Sequence, residues 1–253
     1  MPPLLKGALS FSALYAFALL SRSFPLAPDQ GACRLASGWA CVASGIVFVS
    51  LARRQPARAR LIPAVVLAAA AVVWGLSRLG AVSPPALLAR DLAQLTAATL
   101  LGAFLASRVD SGEVLLALGI VVTVTDLWSV TRGVTKTLLE TKRVDDFLVN
   151  FPVLLRSETG FFIGTSDFAM AALYLACSER LGRAWWRAPV AVGFAMALTG
   201  TLATLFERPL PVLPFMVTIY HLAFPRDYTL GREGLKLLAA GLAMVGFVAW
   251  LYG

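Results

Sequence analysis

Apolar runs of membrane-spanning length alternate along this chain with short charged segments. A helix needs about 20 predominantly apolar residues to cross the hydrocarbon core of a bilayer. Because lipid offers no hydrogen bonds to the backbone, each run is expected to be helical. The runs predict nine transmembrane helices, at about residues 4–20, 36–52, 61–77, 87–106, 114–131, 160–177, 189–205, 210–224 and 235–252. The expected fold class is an all-α, polytopic membrane bundle.

Composition agrees with a protein whose solvent is lipid. Of the 253 residues, 58% are hydrophobic and 14% are charged, and the mean hydropathy is +0.77. A soluble domain usually has about 25% charged residues. The sequence therefore predicts an integral, multi-pass membrane protein surrounded by the lipid bilayer.

The basic residues mark the sides of the membrane. The formal net charge is +8, but the 22 Lys and Arg residues are scattered between the apolar runs and form no single basic surface. Nucleic acid is therefore not an expected partner. Loop 53–60, with four arginines, is the best candidate for a cytoplasmic loop, although Lys and Arg are divided almost equally between the two sides.

The cysteines do not indicate a metal site. Cys33, Cys41 and Cys177 have neither the spacing of metal ligands nor the pattern of a disulfide framework. The sequence implies no metal, nucleotide or other cofactor.

Two acidic residues stand out because they lie within the apolar runs. We assign twelve of the 14 Asp and Glu residues to loops or helix ends, and only Asp126 and Asp167 to transmembrane helices. An ionisable group inside a membrane is costly and usually functional. Asp126 lies five residues before the end of its predicted helix and Asp167 seven residues after the start of the next, which gives depths of roughly 8 and 10 Å from one surface.

Carboxylates at the same depth on consecutive helices are able to meet. In a low-dielectric site such a pair shares one proton, and aspartic proteases use this arrangement to activate water and protonate the carbonyl. The alternative is that Asp126 and Asp167 are two unrelated buried acids.

A proline-rich stretch precedes the predicted helix 210–224. Pro209, Pro211 and Pro214 fall within six residues, and proline removes a backbone donor and crowds the preceding turn. Backbone groups are thus left free to pair with an extended peptide. The alternative is a proline cluster that only starts a helix.

These motifs, in this order, resemble those of the presenilin and signal peptide peptidase group of intramembrane aspartyl proteases. The family's first aspartate motif aligns with Thr125-Asp126, the second with Gly164-Thr-Ser-Asp167, and its Pro-Ala-Leu motif with Pro211-Val-Leu-Pro214. The similarity covers about residues 114–224. It implies a presenilin-like bundle, catalytic roles for Asp126 and Asp167, and substrates that are transmembrane helices of other proteins. It also implies substrate-binding roles for Gly164, Ser166, Pro211, Val212, Leu213 and Pro214.

The chain departs from the family pattern at three motif positions. Thr125 replaces tyrosine, Ser166 replaces glycine and Val212 replaces alanine. Serine remains small, so we expect altered geometry more than lost chemistry. One more helix, 235–252, follows the proline motif.

The loop between the two aspartates contains a further element. Its apolar residues recur at helical spacing and predict a short amphipathic helix on the membrane surface, acting as a gate or as a plain connector. These residues are Phe147, Leu148, Phe151, Leu154 and Leu155, with the charged Lys142, Arg143, Asp145 and Asp146 upstream.

The whole chain, 1–253, is expected to be one transmembrane domain. Residues 1–110 would be N-terminal helices, 111–224 the catalytic core and 225–253 an extra C-terminal helix. The expected function is a bacterial intramembrane aspartyl protease in the inner or plasma membrane. The first alternative is a non-proteolytic presenilin-like protein that conducts ions or protons or binds helices. The second is a prepilin-type aspartyl peptidase, which the proline motif disfavours.

Overall fold

The computed structural model describes residues 2–23, 29–53, 62–78, 83–131, 147–155, 161–225 and 230–252. These residues form nine helices and two short strands. The helices, α1 to α9, are Pro3–Ser21, Gln30–Ala52, Ile62–Arg78, Pro84–Ala106, Gly112–Thr131, Thr165–Arg180, Arg187–Phe206, Leu213–Ala223 and Arg232–Tyr252. The strands are β1, Leu148–Phe151, and β2, Phe161–Gly164.

Helices dominate the described residues, as the apolar runs predict. Each of the nine predicted spans overlaps one observed helix, so the expectation of an all-α architecture is confirmed for this part of the chain. Four of the described helices are both long and apolar enough to cross a membrane, namely α1, α2, α5 and α7. Four such helices indicate a multi-pass membrane protein.

Local sequence explains where several helices begin. The Asp29 side chain accepts a hydrogen bond from the Ala32 amide at 3.0 Å and so caps α2. Prolines stand at the first turn of α1 and α8, where the missing amide hydrogen would have no helical partner in any case.

The described residues fall into two compact units. Unit 1 takes in residues 1–105 and 145–176, and therefore contains α1 to α3, nearly all of α4, the two strands and the first three turns of α6. Unit 2 takes in residues 106–144 and 177–253, and contains α5, α7, α8 and α9.

Unit 1 contains an antiparallel β-hairpin in addition to its helices. Leu148 pairs with Gly164 at one end of the hairpin and Phe151 with Phe161 at the other. The Phe151 ring is fully buried and makes edge contacts with Phe11 and Tyr15 of α1, at centroid distances of 6.0 and 5.9 Å. These aromatic contacts attach the hairpin to the helical core.

The prediction of an amphipathic helix around residues 147–155 is therefore wrong, because residues 148–151 form a strand. Burial alternates along it, with Val149 and Phe151 inside, which is the period of a strand. The charged residues upstream, 142–146, lie outside the described residues. The predicted helix 160–177 is corrected in the same way, because Phe161–Gly164 pair with β1 and α6 begins only at Thr165. Aromatic and β-branched residues at 161–163 favour that pairing.

Close packing between α4 and α6 in unit 1 depends on Gly102. A Cβ placed on Gly102 would run into the Ala169 carbonyl oxygen and lie 2.7 Å from the Ala172 Cβ and 2.9 Å from the Leu173 amide nitrogen. Two of these three atoms belong to the backbone, so they do not move aside as a side chain would. The two helices approach this closely only because residue 102 lacks a side chain.

We expect Gly102→Ala to lower the stability of unit 1 by about 1–3 kcal/mol, because the added methyl group overpacks the contact. Gly75→Ala, on α3, is the matched control, since a Cβ there meets no atom within 4 Å. That change should be neutral or stabilising by up to about 1 kcal/mol through helix propensity. Thermal unfolding in detergent checks both, and equal midpoints for the two variants would contradict the packing.

Unit 2 is organised around α5. Helix α9 packs on α5, where a Cβ on Gly241 would press against the Val121 side chain. The Glu113 carboxylate accepts a hydrogen bond from the Gly234 amide at 2.5 Å, in the first turn of α9. A carboxylate at a helix N-terminus satisfies an unpaired amide and complements the helix dipole. The C-terminal helix is thus attached to the helix that carries Asp126.

Candidate functional site

Asp126 lies on α5, five residues before that helix ends at Thr131. It is half-buried. Its neighbour Thr125 is exposed and donates a hydrogen bond from its hydroxyl to the Val121 carbonyl of the same helix at 2.9 Å. The threonine hydroxyl thus bonds its own helix.

The structure brings Asp126 together with the proline motif. The Asp126 Oδ2 accepts a hydrogen bond from the Leu213 backbone amide at 3.1 Å. Leu213 is the first residue of α8, and Pro211 and Val212 precede the helix in irregular backbone. The predicted helix 210–224 therefore begins three residues late, because the prolines exclude a regular turn.

The contact with Leu213 gives Asp126 a structural role. The first amides of a helix have no partner within the helix, and no side chain at Val212 caps α8. The Asp126 carboxylate fills that position from α5 and also lies in the favourable field of the helix N-terminus. Any function for Asp126 has to be compatible with this capping contact.

Asp167 lies in the first turn of α6, directly after β2. The side chain is buried, with 7% of its surface exposed. The depth expected for it assumed seven helical residues after Gly160, and this is wrong because residues 161–164 form a strand. Asp167 is instead placed at a junction where strand becomes helix.

Gly164 provides the space next to the Asp167 carboxylate. A Cβ on Gly164 would lie 2.8 Å from the Asp167 Oδ2 and 3.3 Å from the Ser166 Oγ. Gly164 is also the last residue of β2, paired with Leu148. The first glycine of the Gly-x-Ser-Asp motif thus permits the carboxyl group to fold back against the end of the strand.

Phe168 fixes the start of α6 on the other side of Asp167. Its ring is fully buried, and a Cβ on Gly45 of α2 would overlap it. Asp167 is thus held between the hairpin that precedes it and a packed aromatic ring that follows it.

The predicted site residues accordingly form two groups. One group, in unit 2, has Asp126 in contact with Leu213, the third residue of the Pro211–Pro214 motif. The other, in unit 1, has Gly164 and Ser166 next to Asp167. The pairing of the Asp126 and Asp167 carboxylates stays a prediction.

Sequence reasoning missed one buried acid, Asp91. The predicted span 87–106 places it near a helix end, but α4 begins at Pro84, so Asp91 is the eighth residue of the helix and is fully buried. Arg90 and Gln94, also buried, lie in the adjoining part of α4. Three polar residues within five positions of an apolar helix are the signal that could have identified it.

In the part of the chain that the structure describes, no three His, Cys, Asp or Glu side chains are grouped closely enough to hold a metal ion. Comparison with protein-family models, with curated proteins and with solved structures gives no match.

Proposed function

We propose that this chain is an intramembrane aspartyl protease, which hydrolyses peptide bonds within transmembrane segments of other membrane proteins. Asp126 and Asp167 would be its catalytic residues. The observation that carries the proposal is the hydrogen bond from the Leu213 amide to Asp126. It joins two of the three motifs that the sequence shares with the presenilin and signal peptide peptidase group.

The geometry around Asp167 supports the same proposal. The carboxyl group follows a strand and lies against a glycine, and among the described residues that strand pairs with β1 alone, so the backbone of an edge strand and an ionisable group occur side by side. An extended substrate needs backbone partners of this kind, because it binds through main-chain hydrogen bonds. A helical substrate would first have to unwind locally, which exposes its scissile carbonyl.

The proposed chemistry requires one shared proton. The ionised carboxylate takes a proton from a water molecule, whose oxygen attacks the scissile carbonyl carbon, while the protonated carboxyl donates its proton to the carbonyl oxygen. The resulting gem-diol then collapses. Its C–N bond breaks, the amide nitrogen takes up a proton from the carboxyl group that had accepted one from water, and the other carboxylate regains its proton from the diol hydroxyl. The products are a carboxylic acid and an amine.

Capping of α8 is compatible with this role for Asp126. The Leu213 amide occupies only one lone pair on Oδ2, and a carboxylate accepts about four hydrogen bonds. Among the described residues no other donor is bonded to Asp126, which leaves positions for a water molecule and for a shared proton. The amide donor also fixes the carboxylate orientation, as a catalytic base requires.

A second candidate function is proton passage without proteolysis. It is favoured by the buried Arg90, Asp91 and Gln94 on α4, since ionisable groups within an apolar helix often mark an ion path. Under this alternative Ser166, in the place of the family glycine, would belong to a site that no longer admits a peptide. Acidification of dye-loaded liposomes that contain the protein distinguishes this function from hydrolysis.

The test is a cleavage assay with purified protein in lipid bilayers. A generic transmembrane peptide is incubated with the protein in water enriched in ¹⁸O, and the products are analysed by mass spectrometry. Hydrolysis puts one ¹⁸O atom into the new carboxyl terminus at a position inside the peptide's apolar segment. The doubly substituted Asp126→Asn, Asp167→Asn protein, purified in parallel, controls for contaminating proteases. If a wide set of helical peptides stays intact while protons cross the membrane, the second candidate replaces the first.

A further inference from the structure

A short segment of unit 1 is held by polar side chains from three different helices, and none of them has a role in the peptide hydrolysis proposed above. The segment, residues 148–155, includes β1 and the turn that follows it, and we call it the β1 segment. The three side chains are Ser21 of α1, Ser37 of α2 and Asp91 of α4.

Each of these side chains accepts a hydrogen bond from a backbone amide of the β1 segment. Asp91 Oδ1 accepts from Asn150 at 3.2 Å. Two further bonds, each 2.8 Å long, run from Leu154 to Ser37 and from Leu155 to Ser21. All three acceptors are buried, with no more than 2% of their surface exposed.

The serines are oriented for this purpose by their own helices. Ser37 donates its hydroxyl hydrogen to the Cys33 carbonyl at 2.6 Å, and Ser21 donates to the Ala18 carbonyl at 2.7 Å. The oxygen lone pairs are thereby left for the incoming amides. Leu155 has a φ of 60°, a conformation that non-glycine residues rarely adopt, and the bond to Ser21 holds its amide there.

The β1 segment in turn determines where Asp167 stands. β1 pairs with β2 residue by residue, and β2 ends at Gly164, three residues before Asp167. A slip of one residue in this pairing would turn every side chain of β2 to the opposite face. Asn150, the residue bonded to Asp91, lies inside the paired region, opposite Phe162.

We infer that Asp91 is a positioning residue, which fixes the register of the β1–β2 hairpin through the Asn150 amide and so places Asp167 for catalysis. The catalytic consequence rests on the proposed function, whereas the effect of Asp91 on the hairpin does not. The role requires a hydrogen-bond acceptor at Oδ1 and no transferable proton. It therefore differs from the role that proton passage would give to the same residue.

Because positioning requires an acceptor whereas proton passage requires a proton, the Asn and Leu variants of Asp91 distinguish the two roles. Asparagine keeps an oxygen that can accept from Asn150, and among the described residues Oδ2 has no hydrogen-bond partner that the amide group would displace. Leucine has the same branching at Cγ but is larger, and it leaves the Asn150 amide buried without a partner. Ser37→Ala removes the neighbouring contact with less disturbance of the core. Its matched control is Ser44→Ala, because Ser44 is equally buried on α2 and bonds the Cys41 carbonyl of its own helix.

The first measurement is hydrogen exchange by mass spectrometry on the full-length protein in lipid nanodiscs. In Asp91→Leu, the amides of both 148–151 and 161–164 should exchange about tenfold faster or more, because one buried amide has lost its acceptor. Asp91→Asn and Ser44→Ala should exchange as the native protein does, and Ser37→Ala should be intermediate. Should Asp91→Leu fail to fold, the comparison of Ser37→Ala with Ser44→Ala takes its place.

The second measurement is peptide cleavage by the same proteins. Asp91→Leu should lower kcat by about tenfold or more with little change in KM, because misplacement of a catalytic group affects the reacting geometry more than the affinity. Asp91→Asn should restore kcat to within about threefold of the native value.

Three results would overturn the inference. Native exchange at 161–164 in Asp91→Leu would show that Asp91 does not control β2. Unchanged kcat despite faster exchange would show that the hairpin does not place Asp167. An inactive Asp91→Asn with native exchange would show that Asp91 acts through its charge, next to Arg90 at 3.9 Å, or through its proton. A native protein that cleaves no peptide would overturn the proposed function instead, and the exchange data would still decide whether Asp91 holds the hairpin.

Discussion

Replacing either Asp126 or Asp167 by asparagine should abolish cleavage of a transmembrane peptide, with a loss in kcat of about 10³-fold or more. Each carboxyl group has a distinct task, since one takes the proton of water and the other protonates the carbonyl oxygen. Because the two act as a unit, the double variant should be no less active than either single one. The measurement is the initial rate of product formation, determined by mass spectrometry in lipid bilayers.

The Asp126 variants also separate catalysis from capping. Asparagine retains an oxygen that can accept from the Leu213 amide, so Asp126→Asn should unfold close to the native midpoint. Asp126→Ala removes the acceptor and should cost about 1 kcal/mol of stability, as the loss of a helix cap does. Asp110→Asn is the control for a loss of negative charge, because Asp110 is an exposed acid of the same unit that pairs with Arg180 at 3.4 Å. Full turnover by either Asn variant at 126 or 167 would rule out the dyad.

The helices could be predicted from the sequence because one physical rule dominates in lipid. A long apolar run has to satisfy its backbone internally, so it becomes a helix whatever its neighbours are. The boundaries were less certain, since they depend on single residues such as Asp29, which caps α2, and Pro84, which starts α4. The early start of α4 is what places Asp91 two turns inside the helix.

The hairpin could not be predicted, because its strands are stabilised by distant partners. The apolar residues of 147–155 fit a helical spacing as well as a strand, and local pattern does not decide between them. Residues between about 60 and 140 positions away in sequence select the strand. Asp91 and Ser37 accept hydrogen bonds from backbone amides of this segment, and Phe11 packs against Phe151. A hydrogen bond between a helix side chain and a remote amide produces no periodic pattern of apolar residues in the sequence.

The candidate site was partly accessible to sequence reasoning. An acidic residue within an apolar run is costly to place in a membrane and is therefore usually functional, which is why Asp126 and Asp167 could be identified from the sequence. The prolines indicate free backbone that is expected to pair with a peptide, whereas the structure shows the Leu213 amide bonded to Asp126. The sequence draws attention to Ser166, the residue before Asp167, whereas Gly164 controls the space next to the Asp167 carboxylate.

Gly164→Ala should therefore reduce cleavage strongly, by about 10²-fold, while leaving the fold intact. The new methyl group would lie 2.8 Å from the Asp167 Oδ2, so the carboxyl group has to move, and a displacement of about 1 Å at a catalytic group costs about that factor. Alanine fits the end of a strand, so the hairpin itself should persist. The measurement is kcat with the transmembrane peptide, together with the thermal midpoint.

Ser166→Gly is the matched control for Gly164→Ala. Ser166 is exposed, and its removal opens space near Asp167 without pressing on the carboxylate, so activity should stay within about tenfold of the native value or rise. Ser166→Leu fills that space and should abolish cleavage if residue 166 faces the bound peptide. The decisive comparison is the order of the four rates. A native rate for Gly164→Ala would show that the Asp167 carboxylate can move without consequence, and a catalytic role for Asp167 would then have to be given up.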